Sequence, residues 1–178
     1  MIIASLEQVI DLQQTILNNA EKVKEILEKS VANMSAVQLF AVIKFDKIGA
    51  DPITGQKLNI IEQINQMYSD LVILDAVQNL MVAYPEKTFE LHVGSSAGYD
   101  VASTDGQVVA ECFAVTGISS NDKLNKDCRK LLKSKAEHKF LFFYSHCDDD
   151  TVLQRKYEKY PEIHFRRIVE WVEKSPDS

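Results

Sequence analysis

Asp105-Gly106 sits between two stretches that alternate with a period of two, and that combination dictates an antiparallel hairpin. Asp-Gly is the dipeptide that best tolerates positive φ at the tip of a tight turn. Before it, Tyr99, Val101 and Ser103 alternate with Asp100, Ala102 and Thr104; after it, Val108, Ala110 and Cys112 alternate with Val109, Glu111 and Phe113. A turn centred on Asp105-Gly106 sets Asp100 opposite Glu111, and opposed ladder residues carry their Cβ atoms about 4.5 to 5.5 Å apart on one face. Two carboxylates that close repel unless a cation or a proton stands between them, so the arrangement costs stability when left empty. A cation bridging both acids is one reading. The other is structural: Asp100 caps a turn after Gly98, and Glu111 pairs with a lysine.

Helical patterns precede the hairpin. Leu6 to Lys29 spaces Val9, Leu12, Ile16, Val23 and Ile26 as a long amphipathic helix with Ser5 as its N-cap. A second helix, about Ser35 to Phe45, ends before Asp46 to Gly55, where Gly and Pro enforce a loop. A third runs from Asn59 to Tyr84, with Ile60, Ile64, Met67, Leu71, Leu74 and Val77 along one stripe and Pro85 closing it. Strands follow at about Phe89 to Val93, Tyr99 to Thr104 and Val108 to Val115, joined first through the Gly- and Ser-rich Gly94 to Gly98. Gly117 to Ser120 leads to a helix from Asp122 to Lys135 and an apolar strand, Phe140 to Tyr144. After the acidic loop Asp148 to Asp150 comes a helix from Val152 to Lys159; Ile163 to Lys174 reads as strand, helix or both, with Trp171 as a packing residue.

With 178 residues, 46% of them hydrophobic, the chain suits one well-buried domain: a helical extension over 1–57, a core over 58–145 and a C-terminal helix or strand over 146–178. No stretch approaches the roughly 18 apolar residues of a membrane span, and Met1 to Glu7 lacks a basic region leading into an apolar core, so a soluble cytoplasmic protein is expected. Three cysteines without CxxC spacing and four scattered histidines argue against a disulfide scaffold or a His/Cys metal centre. The net charge of -6 weighs against indiscriminate nucleic-acid binding, which needs clustered cations. Yet Ser120 to Lys139 holds seven Lys/Arg against three acids, a local +4 that leaves -10 elsewhere. That segment is either a phosphate-facing surface or a solvated helix face.

A helix, three antiparallel strands, a helix and a fourth strand, with an Asp opening the second strand and a Glu inside the third, resembles the PD-(D/E)xK nuclease superfamily. The resemblance covers about Asn59 to Ser145. It implies an α/β (α+β) fold with a restriction-endonuclease-like core: a mixed sheet of four or more strands flanked by helices, here with an N-terminal helical extension. In that superfamily one acid is followed by a second acid, any residue and a lysine; the matching positions here are Asp100 and Glu111-Cys112-Phe113. Phe113 therefore stands where the lysine belongs.

The implied activity is Mg2+-dependent phosphodiester hydrolysis of DNA, by a restriction-like endonuclease or the nuclease component of a bacterial defence system, with Asp100 and Glu111 as metal ligands. The lysine's task is to orient the attacking water and offset developing negative charge. Some members resemble a relocation of that lysine to the following helix, and Lys123, Lys126 and Lys130 are the candidates. Helical geometry puts Leu124, Cys128, Leu131 and Leu132 on the buried stripe, Lys126 nearly opposite, and Lys123 and Lys130 at its edge. Lys123, in the first turn, is the expected substitute, and Lys126 and Lys130 the expected nucleic-acid contacts. Glu62 is either an auxiliary acid from the first core helix or a capping-box partner of Asn59, three residues before it. The long first helix offers a homodimer surface or a face for its own domain. Phe113 and the acidic balance favour the rival reading, a catalytically inactive restriction-fold protein serving as a partner, regulatory or immunity subunit.

Overall fold

The structure is a computed structural model that describes residues 1–93, 98–118, 122–145 and 150–168. The connection expected at Gly94 to Ala97, Asp148 and Asp149 of the acidic loop, and everything beyond 168, including Trp171, lie outside the described residues.

Capping chemistry sets the long helices. Ser5 accepts from the amide of Gln8 to open α1 (Leu6–Asn33), which runs a turn further than its apolar spacing suggests. Short α2 (Ala36–Phe45) follows. Asn59 and Glu62 exchange side-chain and backbone hydrogen bonds at 2.8 and 3.0 Å, the capping box that starts α3 (Ile60–Ala83), and Tyr84-Pro85 ends it. Between α2 and α3 the expected loop is partly a small antiparallel ribbon, β2 (Gly49–Ala50) with β3 (Lys57–Leu58). Its turn is tied by Asp51, whose Oδ1 accepts from the amides of Ile53 and Thr54.

The main sheet has six strands: β1 (Ile2–Ile3), β4 (Phe89–Leu91), β5 (Val101–Ser103), β6 (Val108–Val115), β7 (His138–Ser145) and β8 (His164–Ile168), adjacent in that order. β1 through β6 pair antiparallel, whereas β6, β7 and β8 pair parallel. Parallel neighbours need a crossover, and α4 (Lys123–Leu132) and α5 (Asp150–Lys159) supply the two required. The mixed α/β architecture thus follows the expected order of helix, three strands, helix, strand. The pair Ile2–Ile3 was not expected as a strand, being too short to show periodicity.

Both faces of the sheet are covered, which is why β6 is buried continuously from Val108 to Phe113 rather than alternately. On one face Leu74, Val77 and Leu80 of α3, with Val9 and Ile16 of α1, join Val108, Ala110 and Phe142. On the other, Leu124, Cys128 and Leu131 of α4 and Leu153 of α5 meet Val109, Phe113, Leu141 and Phe143. Each fully buried leucine of this kind contributes about 1.5 to 3 kcal/mol. Leu132, expected on the buried stripe of α4, is 40% exposed, because the helix ends there and turns away at Lys133. Among the described residues no helix is long and apolar enough to cross a membrane.

Candidate active site

The hairpin turn sets the site's register. Gly106 takes φ 71°, and its amide donates to Ser103 O. Asp105 Oδ1 accepts from Ser103 Oγ and from the amide of Gln107, while its other oxygen pairs with Lys87 at 2.6 Å. The Lys87 ammonium, then the Ser103 and Gln107 donors, hold this carboxyl well below the usual range. With the tip secured, Val101 pairs with Ala110 and Ala102 with Val109. One further step of that register opposes Asp100 to Glu111.

Asp100 is held from both sides. Its carbonyl accepts from the amide of His92 at 2.9 Å on β4's side, and its Oδ2 accepts from the amide of Cys112 at 2.7 Å on β6. The carboxylate therefore reaches across to Glu111's strand. Just upstream, Gly98 has φ 121°, and a Cβ there would lie 2.5 Å from His92 Nδ1, which donates to Tyr99 O. Only glycine fits at that point.

Glu111 is 2% exposed, and its Oε1 lies 2.6 Å from Lys130 Nζ, an ion-pair contact outside good hydrogen-bond angles. The same ammonium donates to Gly98 O and stands 5.4 Å from the centre of the Tyr99 ring. Lys123 is turned to a different partner: its Nζ lies 3.0 and 3.1 Å from the two oxygens of buried Asp127. Residues 123, 127 and 130 form one edge of α4 by their i, i+4, i+7 spacing, and that edge meets the acid pair. Lys130, expected as a nucleic-acid contact, is thus the cation touching Glu111, whereas Lys123, the expected substitute, is engaged by Asp127. Lys126 is exposed on the opposite side.

Burial, then the Asp100 charge, pushes Glu111 up to about 7, against the pull of Lys130. Burial likewise raises Asp100 and Asp127; the Cys112 amide and both lysines restrain Asp100, and Lys123 restrains Asp127. A further buried acid, Asp70, belongs to α3, which packs on the other face of the sheet from α4. Asp70 is fully buried; Gln66 donates to its Oδ1 at 2.7 Å, and its Oδ2 has no hydrogen-bond partner among the described residues. Burial, followed by the charges of Asp51 and Asp100, pushes it up to about 7. Glu62, two turns away along α3, is exposed and occupied by its cap.

Sequence reading missed Asp70 and Asp127. The available signal was an aspartate inside a helical apolar pattern, Asp70 before Leu71-Val72 and Asp127 before Cys128, where aspartate is otherwise disfavoured. Phe113 points to the same face as Glu111 but stacks on Phe143 at 5.7 Å within the apolar cluster beneath α4. Burial, then the charges of Asp100 and Glu111, pushes the Cys112 thiol well above its ordinary pKa, which disfavours the thiolate.

Among the described residues no three His, Cys, Asp or Glu side chains converge as a ready metal cage. Magnesium does not need one, since it is commonly bound by one or two carboxylates with waters and substrate phosphate completing its shell. Asp100 and Glu111 offer carboxylate oxygens of that kind: two opposed acids, with Glu111 buried and a lysine ammonium against it. Comparison of the chain with family models, with curated proteins and with solved structures returned no match.

Proposed function

We propose that this protein is a magnesium-dependent nuclease acting on DNA, built on a restriction-endonuclease-like core, with Asp100 and Glu111 holding the metal. The observation that carries the reading is the opposition of two acids on a hairpin, beneath a helix that brings a lysine onto one of them. The element order around the pair supports it. The chemistry a bound magnesium supplies is Lewis-acid polarisation of the scissile phosphate and a lower pKa for the attacking water. The protein's own groups do the remainder. The Cys112 amide fixes the Asp100 carboxylate, and apolar burial keeps bulk water from Glu111. Lys130 supplies positive charge in place of the lysine that Phe113 displaces. The expected outcome for Glu111→Ala is loss of Mg2+-dependent plasmid cleavage by a factor on the order of 10² or more, equivalent to several kcal/mol of transition-state stabilisation. Cleavage undiminished in that variant rules the assignment out.

A second reading rests on Phe113. An aromatic ring stacked in the core at the lysine position, with Lys130 closing the acid pair, also suits a catalytically silent partner or regulatory subunit. Metal binding by the wild-type chain without cleavage of any DNA or RNA would favour it.

A further inference from the structure

Lys130 and Glu111 differ in one respect that matters for how a metal reaches the site. The Glu111 side chain is 2% exposed and fixed in the middle of β6, whereas that of Lys130 is 43% exposed on the edge of α4. Of the two, only the lysine has solvent to move into. Its ammonium is held by three ties, to Glu111 Oε1, Gly98 O and the Tyr99 ring, all on the hairpin side of α4. Lys123 cannot replace it without leaving Asp127. A second observation concerns the acid itself: Glu111 Oε1 is buried and accepts no hydrogen bond among the described residues, so the Lys130 charge is what faces it.

Resting on the magnesium reading above, we propose that Lys130 is the resident counter-ion of the Asp100/Glu111 pair, yielding its place on Glu111 to an incoming divalent ion and then turning to the phosphate of a bound strand. A buried carboxylate left unpaired is costly, so the folded protein keeps an internal cation there until the external one arrives. Lys130 then competes with metal before binding and serves substrate after it. The catalytic cation is thereby delivered only once the metal is in place.

Calorimetric titration of the full chain with Mn2+ at pH 8.5, above the value of about 7 to which Glu111 is raised, tests this. Lys130→Gln is expected to bind Mn2+ on the order of tenfold more tightly than wild type, since one competing charge has gone. Lys126→Gln, on the exposed side of the same helix, is expected to match wild type. Equal or weaker binding by Lys130→Gln, or the same gain in Lys126→Gln, overturns the inference and leaves the metal site standing. No Mn2+ binding by wild type or Lys130→Gln overturns both together. Should Lys130→Gln fail to fold, the wild-type chain decides: Mg2+ is expected to shift the side-chain NMR resonances of Lys130 and leave those of Lys126 in place. Mg2+ binding without that shift overturns the inference.

Discussion

Asp70 concentrates the cost of placing charge inside this protein. It is fully buried in α3, with one oxygen bonded to Gln66 and the other without a partner among the described residues. The folded chain therefore holds its proton up to about pH 7, against 3.8 for an ordinary aspartate. Because the folded state binds this proton more tightly than the unfolded one, the contribution to stability is complete below about pH 4 and is lost as pH rises towards 7. Each pKa unit corresponds to about 1.4 kcal/mol. Glu111, also raised to about 7, acts with the same sign. Asp105, lowered by Lys87, acts with the opposite sign, but as a half-exposed ion pair its effect is small. Asp70→Asn should accordingly be more stable than wild type at pH 8 by about 1 to 3 kcal/mol, with the gain vanishing near pH 4. Urea denaturation at the two pH values checks this, and a variant destabilised at pH 8 would mean that the charged form is favoured after all. The opposition of Asp100 and Glu111 was legible in the sequence because Asp-Gly determines the register of a hairpin. The importance of Asp70 was not, because the apolar stripe of α3 does not say which of the polar positions beside it the fold buries.

Helices α2 and α3 look alike in sequence and differ in what holds them. Both are rich in apolar residues, yet α2 buries none, with Val37 80%, Phe40 66% and Phe45 69% exposed. Ten residues make a marginal helix in water, so its sequence pattern identifies the helix without identifying a covering surface. In α3, Leu74, Val77 and Leu80 are almost wholly inaccessible and meet the sheet. Leu74→Ala is expected to cost about 2 to 5 kcal/mol, the range for a cavity in a close-packed core. Phe40→Ser should stay within about 0.5 kcal/mol of wild type, as exposed substitutions do. Chemical denaturation of the two variants side by side separates them; a large loss in Phe40→Ser would show that α2 is covered in solution. The ends of α3 and β6 came directly from caps, Pro85 and alternation. β1, β2 and β3 did not, since two residues show no period and their pairing depends on which segments the fold brings alongside.

At the scale of the whole molecule, β6 is where the antiparallel and parallel halves of the sheet meet, and it carries Glu111. The hairpin brings Asp100 and Glu111, and α4 brings Lys130, to one region only once the two halves are assembled, and the unfolded chain has no such arrangement. A divalent ion that binds there stabilises the folded state alone, by about 2.7 kcal/mol at a hundred times its dissociation constant. Saturating Mg2+ should therefore raise the melting temperature of the wild-type chain by several degrees and leave Glu111→Gln unmoved. An identical shift in both would locate the ion elsewhere. What the sequence determined by itself is whatever depends on neighbours along the chain: the hairpin register, the Asn59–Glu62 cap, the order of elements and the edge of α4 on which Lys123 and Lys130 lie. Only the tertiary structure decided that Lys130 reaches Glu111, that Asp127 holds Lys123, and that Asp70 comes within the field of Asp100. Those are contacts between segments far apart in sequence, and a helix's rotation against a sheet is set by how the two surfaces pack, which local periodicity narrows to an edge but does not resolve to a residue.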